Sequence, residues 1–509
     1  MTNSNASNKL NAKTYHHETS YFRGRLSGGM LDWASQPTPF KSYSNPISTP
    51  LIRTIAFPDI SLWELGSGKG AGFYGKISFE NLSAILYLAY GITASAKHAG
   101  GNFFYRSVPS AGALYPSELY LFIRDIRGVS EGLYHYDVLN HALTFIHDRP
   151  LKPEQDTGSA FYISGIYFRS SWKYRERAYR YILLDSGHLL ENLLLALDAF
   201  SIPSRAGLNF KDTLIGNWLK LDELHEGVLA TVPLYQSGKS ITEDQDEIQV
   251  PSFSMENTLR LTSDIKYPMA LQMHRAGYNF HAGIHSVLSM TDQIGVSVAQ
   301  WEKIHAPEST SEPNSFSSAV IQRRSRRNFI PRPLPNRSYL KLLEIAVRTW
   351  QRQNMDDLHW ASSICLGFIA NLVEGVQPGF YLVDALQKTI GSVHSGSDSK
   401  KIASVCLDQE WLKNASIYFL LITNLEYLDR MWGPRGYRYA VITAGRIGQG
   451  IYLGGTALNL GVCGIGAFYD DEARQILGLN SSSGLIYLVA AGMVRSHFNS
   501  GKTGDFDLS

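Results

Sequence analysis

Apolar residues return at helical spacing over 178–200, AYRYILLDSGHLLENLLLALDAF, where Leu189, Leu190, Leu193, Leu194 and Leu197 predict a buried helix. Shorter runs read differently. SELYLFI (117–123), GLYHYDV (132–138) and GLIYLVAAG (484–492) have the length and the aromatic or β-branched content of strands. Strand, helix and loop alternate along both halves of the chain, which predicts an α+β protein.

The helix has a second copy. In GYRYAVITAGRIGQGIYLGGTAL (436–458), Tyr179, Arg180, Tyr181, Gly187, Leu195 and Ala199 recur as Tyr437, Arg438, Tyr439, Gly445, Leu453 and Ala457, each displaced by 258 positions. An echo precedes it, EGLYHYDVLNHAL (131–143) against PGFYLVDALQKTI (378–390), in the same order. This is a tandem duplication of one domain rather than a short-period solenoid. The second copy carries Gly445, Gly448, Gly450, Gly454 and Gly455, each costing about 0.8–1 kcal/mol relative to alanine in a helix. Something must approach this backbone closely, the equivalent helix of the first half being one candidate and ordinary core packing of a poor helix the other. The expected organisation is an extended Pro-rich arm over 1–50, a first domain over 51–240, a connecting segment and linker over 241–318, and a second domain over 319–509. APESTSEPNSFSS (306–318) supplies the linker, and 241–305 reads as short helices wrapping the core.

Composition bounds the function. The chain has 509 residues, 44% of them hydrophobic, enough for a large core in at least two domains. A formal net charge of +2 gives no case for a nucleic-acid or anionic-membrane partner. Cys365, Cys406 and Cys463 are too few and scattered for a disulfide framework or a metal site, so a reducing cytoplasm is expected. The polar N-terminus has no apolar export signal, and no run is long enough to span a membrane.

Three stretches carry candidate chemistry. RRSRRNF (323–329) packs four arginines where a short apolar stretch ends and FIPRPLP forbids helix continuation. Such forks suit phosphate oxygens, with a serine hydroxyl as a further donor; an exposed basic turn is the plainer alternative. In RSVPSAGALYPSELYLF (106–122), Ser110, Ala111, Gly112 and Ala113 would let a flat ring lie against backbone N–H groups, with Pro109 and Pro116 stiffening the loop. In GVCGIGAFYDDEARQILGL (461–479), Gly464 and Gly466 flank a turn and Asp470 or Asp471 can cap the helix that follows. Neither GxGxxG in a βαβ unit nor GxxxxGK[ST] is present, which argues against a Rossmann site and nucleotide hydrolysis.

Together RRSRRNF, PSAGALYPSELY, GVCGIGAFYDDE and the YRY helix resemble the flavin-dependent nitroreductase superfamily, most closely its SagB-type branch of azoline dehydrogenases. YHHETSYFRG and LDWASQPTPF near the N-terminus also resemble that branch. The resemblance implies two tandem nitroreductase-like domains forming an intramolecular pseudo-dimer, with FMN at the interface between them. It implies that Arg323, Ser325 and Arg327, with Arg324 between them, hold the phosphate and ribityl chain. The loop from Pro109 to Pro116 would reach the flavin from the other half, and Ile465 and Gly466 from the same half as the arginines. Lys173 and Tyr174 match a catalytic Lys-Tyr pair; 258 positions later stand Met431 and Trp432. Each half lacks what the other keeps, so one intact FMN site is expected beside an altered one. The implied activity is FMN-dependent oxidation of thiazoline or oxazoline rings in a modified peptide. A generic NAD(P)H-dependent nitro or quinone reductase is the alternative, and a non-catalytic scaffold a second.

Overall fold

The structure, a computed structural model, describes residues 10–25, 30–66, 77–98, 101–151, 158–234, 266–278, 289–305, 313–356 and 358–495. Most of residues 64–76, the first part of the connecting segment and the start of the linker lie outside the described residues.

Two sheets repeat one plan. The first orders its strands Ser48–Pro50, Ala142–His147, Gly132–Asp137, Ser117–Ile123, Ala160–Ile166 and Glu226–Pro233. The second runs Trp301–Lys303, Thr389–Ser395, Gly379–Asp384, Cys365–Ala370, Ile417–Asn424, Ser483–Gly492 and Gly461–Ile465. The first six places match one for one, and every ladder is antiparallel. The seventh strand has only two isolated bridges as its counterpart, Ser204 with Leu234 and Gly207 with Thr231. Ser117–Ile123 and Ile417–Asn424 are buried at every position. That explains why they read as apolar runs rather than alternating ones, since a strand covered on both faces has no polar side to show.

The two long helices, Ala178–Ala199 and Arg435–Ala457, cross at their shared glycine. A Cβ on Gly187 would stand 2.2 Å from the Ile442 carbonyl oxygen, and one on Gly445 would stand 2.3 Å from that of Leu184. Backbone therefore touches backbone at the centre of the molecule. The remaining glycines answer to other neighbours: Gly448 to Tyr487 and His188, Gly450 to Thr349, Gly455 to Val462. Gly445→Ala gains helix propensity but must push the helices apart, so a net loss of about 1–3 kcal/mol is expected in urea unfolding. An unchanged midpoint would show that the helices part freely.

The N-terminal segment is not simply an extended arm. Ala12–Glu18 is a helix, its N-terminus capped by the Asn11 side chain accepting from the Thr14 N–H. His16 Nδ1 lies 3.1 Å from the Tyr437 hydroxyl; 258 positions later, on the helix Met269–Ala276, His274 Nδ1 lies 3.1 Å from that of Tyr179. The duplication thus includes these outlying helices. Ion clusters obey it too. Arg177 and Arg180 each reach the Asp470 carboxylate at 2.6 Å, and Arg435 and Arg438 converge on Asp212, all six buried. Each cluster ties a long helix of one half to a short helix of the other, Asp470–Ile476 or Asp212–Trp218. Among the described residues no helix is long and apolar enough to cross a membrane, and no cluster of metal-ligating side chains occurs.

Candidate active site

One cleft opens between the halves, with roughly 770 Å³ of empty space out to its mouth. Its first wall is the loop at Pro109, Ser110, Ala111 and Gly112, beside Tyr174 and the helix residues Tyr181, Leu184, Asp185 and His188. The facing wall comes from the other half: Ser325, Arg327, Trp411, Tyr452, and the turn from Cys463 to Ala467, including Ile465 and Gly466.

The loop owes its shape to left-handed backbone at Gly112 (φ 66°) and Ala113 (φ 55°), which turns the chain into the strand at Ser117. Ala113 does not line the cleft. Asp185 anchors the loop: its carboxylate accepts from the Ser110 hydroxyl at 2.5 Å and from the Ala111 N–H at 3.2 Å. Across the cleft the glycine turn is pinned by the opposite half. The Gly466 carbonyl accepts from Arg177 at 3.0 Å and from the Tyr181 hydroxyl at 3.3 Å, while the Gly464 N–H donates to the Tyr452 hydroxyl at 2.7 Å. Asp470 does not cap the following helix; Tyr469 takes that position, and the Asp470 carboxylate is held by the two arginines.

The arginine run divides. Ser325, 2.9 Å from the Tyr452 hydroxyl, and Arg327, exposed toward the cleft, both line it. Arg323 and Arg324 do not. Arg323 is buried and donates to the carbonyls of Ser107 and Arg106 at 2.9 and 3.1 Å, fastening the arginine run to the loop strand of the other half. Arg324 donates to Thr93 and to nearby carbonyls.

Lys173 is exposed and does not itself line the cleft, but it packs against the cleft wall, its Nζ 3.1 Å from where a Cβ on Gly112 would stand. Partial burial, helped by the Arg327 charge, lowers the pKa of its ammonium. Burial, helped by Asp185, raises that of the Tyr174 hydroxyl, which stays protonated at neutral pH.

Two cleft residues escape the sequence reading. His188 sits in a hydrogen-bond relay whose direction can be followed. Asn192 Nδ2 donates to the Leu88 carbonyl, so its Oδ1 accepts from Gln449, whose Oε1 accepts from His188 Nδ1–H; His188 Nε2 then accepts from the Tyr487 hydroxyl. The ring is neutral, its pKa pushed down to about 3 by burial. Asp185 is the second. Burial pushes its carboxyl up to about 7, against the pull of Ser110 and Ala111. A carboxyl raised in the folded state stabilises fully below its unfolded pKa and loses that contribution as pH rises through the folded one. Stability should therefore fall between about pH 4 and about pH 7. The slope is at most about 1.4 kcal/mol per pH unit. Asp185→Asn should flatten that decline in denaturation curves taken across the range; an unaltered slope would remove Asp185 from the account. Both residues lie in an apolar helical stretch, where the sequence signal of core drowned that of chemistry.

A family model described as the nitroreductase family matches residues 368–493. A "putative nitroreductase" of Methanocaldococcus jannaschii is 30% identical over 169 residues, 33% of this chain and 85% of that protein. The trifolitoxin-processing protein TfxB of Rhizobium leguminosarum bv. trifolii is 28% identical over 178 residues, 32% of this chain; the chain spans about half of that protein's length, 48%. Among solved structures, a "putative nitroreductase" from Anabaena variabilis superposes with a TM-score of 0.75 at 25% identity, covering 95% of this chain and 99% of that one.

Proposed function

Because the chain belongs to the nitroreductase family, we propose that it is an FMN-dependent oxidoreductase with one working cleft, which oxidises azoline rings of a modified peptide. The observation that carries this reading is the meeting of Tyr174 and Arg327 with the two small-residue turns in a single cleft drawn from both halves, with Lys173 packed against Gly112 beside it. Similarity to a peptide-processing protein supports the substrate class.

The residues present fit FMN. Ser110, Ala111 and Gly112 on one wall and Gly464 and Gly466 on the other leave a slot between small residues, wide enough for a flat ring. Gly112 is required there, since a Cβ would stand 2.9 Å from the Tyr174 hydroxyl. Arg327 and Ser325 would hold the phosphate and ribityl oxygens. Arg323 supports them from behind by fixing the arginine run to Arg106 and Ser107. When bound, FMN supplies a hydride acceptor for the ring carbon being oxidised. The chain's own part is proton handling and shielding. Lys173, its ammonium destabilised by burial and by Arg327, is the base that takes the proton leaving the ring. Tyr174, held protonated, donates a hydrogen bond to orient that ring.

Arg327→Ala is expected to weaken FMN retention by about tenfold or more, corresponding to loss of a charge-assisted bond of about 1.5–3 kcal/mol. Flavin occupancy after gel filtration reads this, and full occupancy would sink the phosphate assignment. A second reading is reduction of nitro or quinone compounds by NAD(P)H, favoured by similarity to the Anabaena protein along nearly the whole chain. Anaerobic mixing separates the two: bleaching of the flavin by an azoline peptide supports the first, and bleaching by NADPH alone the second.

A further inference from the structure

The cleft has a counterpart on the other side of the Gly187–Gly445 crossing, and its residues differ. In place of Asp185 and His188, the positions 258 later carry Thr443 and Arg446. The hydrogen bond from His188 to Gln449 is matched by one from Arg446 Nε to Glu191 Oε2 at 3.0 Å, Glu191 standing 258 positions before Gln449. The match then stops. His188 turns its outer nitrogen to the Tyr487 hydroxyl, whereas 258 positions before Tyr487 stands Leu229, which offers Arg446 no acceptor.

Arg446 is 0% exposed, yet its Nη1 and Nη2 have no hydrogen-bond partner among the described residues. The same holds for Thr443 Oγ1 and Thr349 Oγ1, both buried. Two of these side chains come from one helix face and the third from the helix opposite. Thr443, Arg446 and Gly450 follow one another along one face of the helix Arg435–Ala457. Thr349, on the helix Asn336–Asp356, stands opposite, its Oγ1 2.5 Å from where a Cβ on Gly450 would be. The charge does not balance either. Glu191 accepts from Arg446 and, at 2.7 Å, from Arg352, whose side chain is 18% exposed, so the fully buried Arg446 shares its one carboxylate with a second guanidinium that reaches solvent. An unsatisfied donor costs about 1–3 kcal/mol to bury, and an uncompensated charge more. Ordered water would satisfy the donors without balancing the charge.

We propose that Arg446, Thr443 and Thr349 bind a small oxyanion, of the phosphate or sulfate class, in the place that mirrors the working cleft. The anion accepts from both Nη atoms in bidentate geometry and from the two hydroxyls, and it neutralises the charge Glu191 leaves over. The site uses none of the residues assigned to FMN and stands or falls apart from that assignment.

The test is the thermal midpoint of the flavin-loaded full chain, titrated with inorganic phosphate against chloride at matched ionic strength. The wild-type midpoint is expected to rise with phosphate, and Arg446→Met to weaken the apparent affinity by about tenfold or more. Saturating FMN should leave the response in place, and its loss at saturating FMN would mean that phosphate acts in the flavin cleft, overturning the proposal. An equal response in Arg446→Met would overturn it as well. Should that variant not fold, Thr443→Val serves, with a smaller weakening of about threefold to tenfold. Crystals grown with selenate give a separate reading: an anomalous peak within hydrogen-bonding distance of Arg446 supports the site, and water alone overturns it.

Discussion

Lys173→Met is expected to slow azoline oxidation by about 10²–10⁴-fold, the range lost with a general base, while FMN stays bound. The expectation follows from position and charge. Lys173 stands against Gly112 beside the cleft, and partial burial, helped by Arg327, lowers the pKa of its ammonium. Methionine keeps the length and the packing but cannot take a proton. Single-turnover flavin bleaching by an azoline peptide measures the step directly, and wild-type bleaching in the variant would end Lys173's candidacy. Arg327→Lys would move the charge and alter the pH at which bleaching begins, whereas a purely structural lysine at 173 would leave that profile alone. If NADPH proves to be the reductant instead, Lys173→Met should matter far less, because hydride arrives from outside and no ring proton has to be removed.

Asp470→Ala is expected to cost about 3–5 kcal/mol of stability, because it leaves two guanidinium groups buried with no carboxylate between them. Its pseudo-symmetric partner gives the control. Asp212→Ala strips Arg435 and Arg438 in the same way and should cost a similar amount. The two should part company at the cofactor. Arg177 also donates to the Gly466 carbonyl, so loss of Asp470 frees a wall of the working cleft, while loss of Asp212 does not. Urea unfolding followed by flavin quantitation separates the effects; equal flavin loss in both variants would show that only global stability is being read. The arginines hold the Asp470 carboxyl well below its usual range. Its contribution is therefore present above the unfolded pKa near 4 and fades as pH falls through the folded one.

Much of this architecture is legible in the chain, and the reason lies in particular residues. Gly187 and Gly445 announce the helix crossing because close backbone contact admits no other residue, and the offset of 258 passes through them. Strands such as Ile417–Asn424, buried throughout, advertise themselves by apolar continuity. The helices Ala12–Glu18 and Met269–Ala276 do not: AKTYHHE and MALQMHRA have little in common, and His16 and His274 are the trace of their kinship. Two residues are enough to bond two tyrosines but too few to be heard over divergence elsewhere. At the cleft, the small-residue turns show in the sequence because glycine and proline punctuate it. Which of four neighbouring arginines face the cleft does not show. That depends on where the carbonyls of Arg106 and Ser107 end up, and those belong to the other half of the chain.

The working cleft takes one wall from each half, yet both walls are on one chain. An enzyme of two identical subunits would lose such a cleft on dilution, and every substitution improving one copy of its interface would be imposed on the other. Here assembly is unimolecular, so flavin binding and the unfolding midpoint should not vary with protein concentration. The same linkage frees Arg446 to differ from His188 and Trp432 from Tyr174. A duplicated gene could thus keep one site under selection for turnover and release its twin for another use.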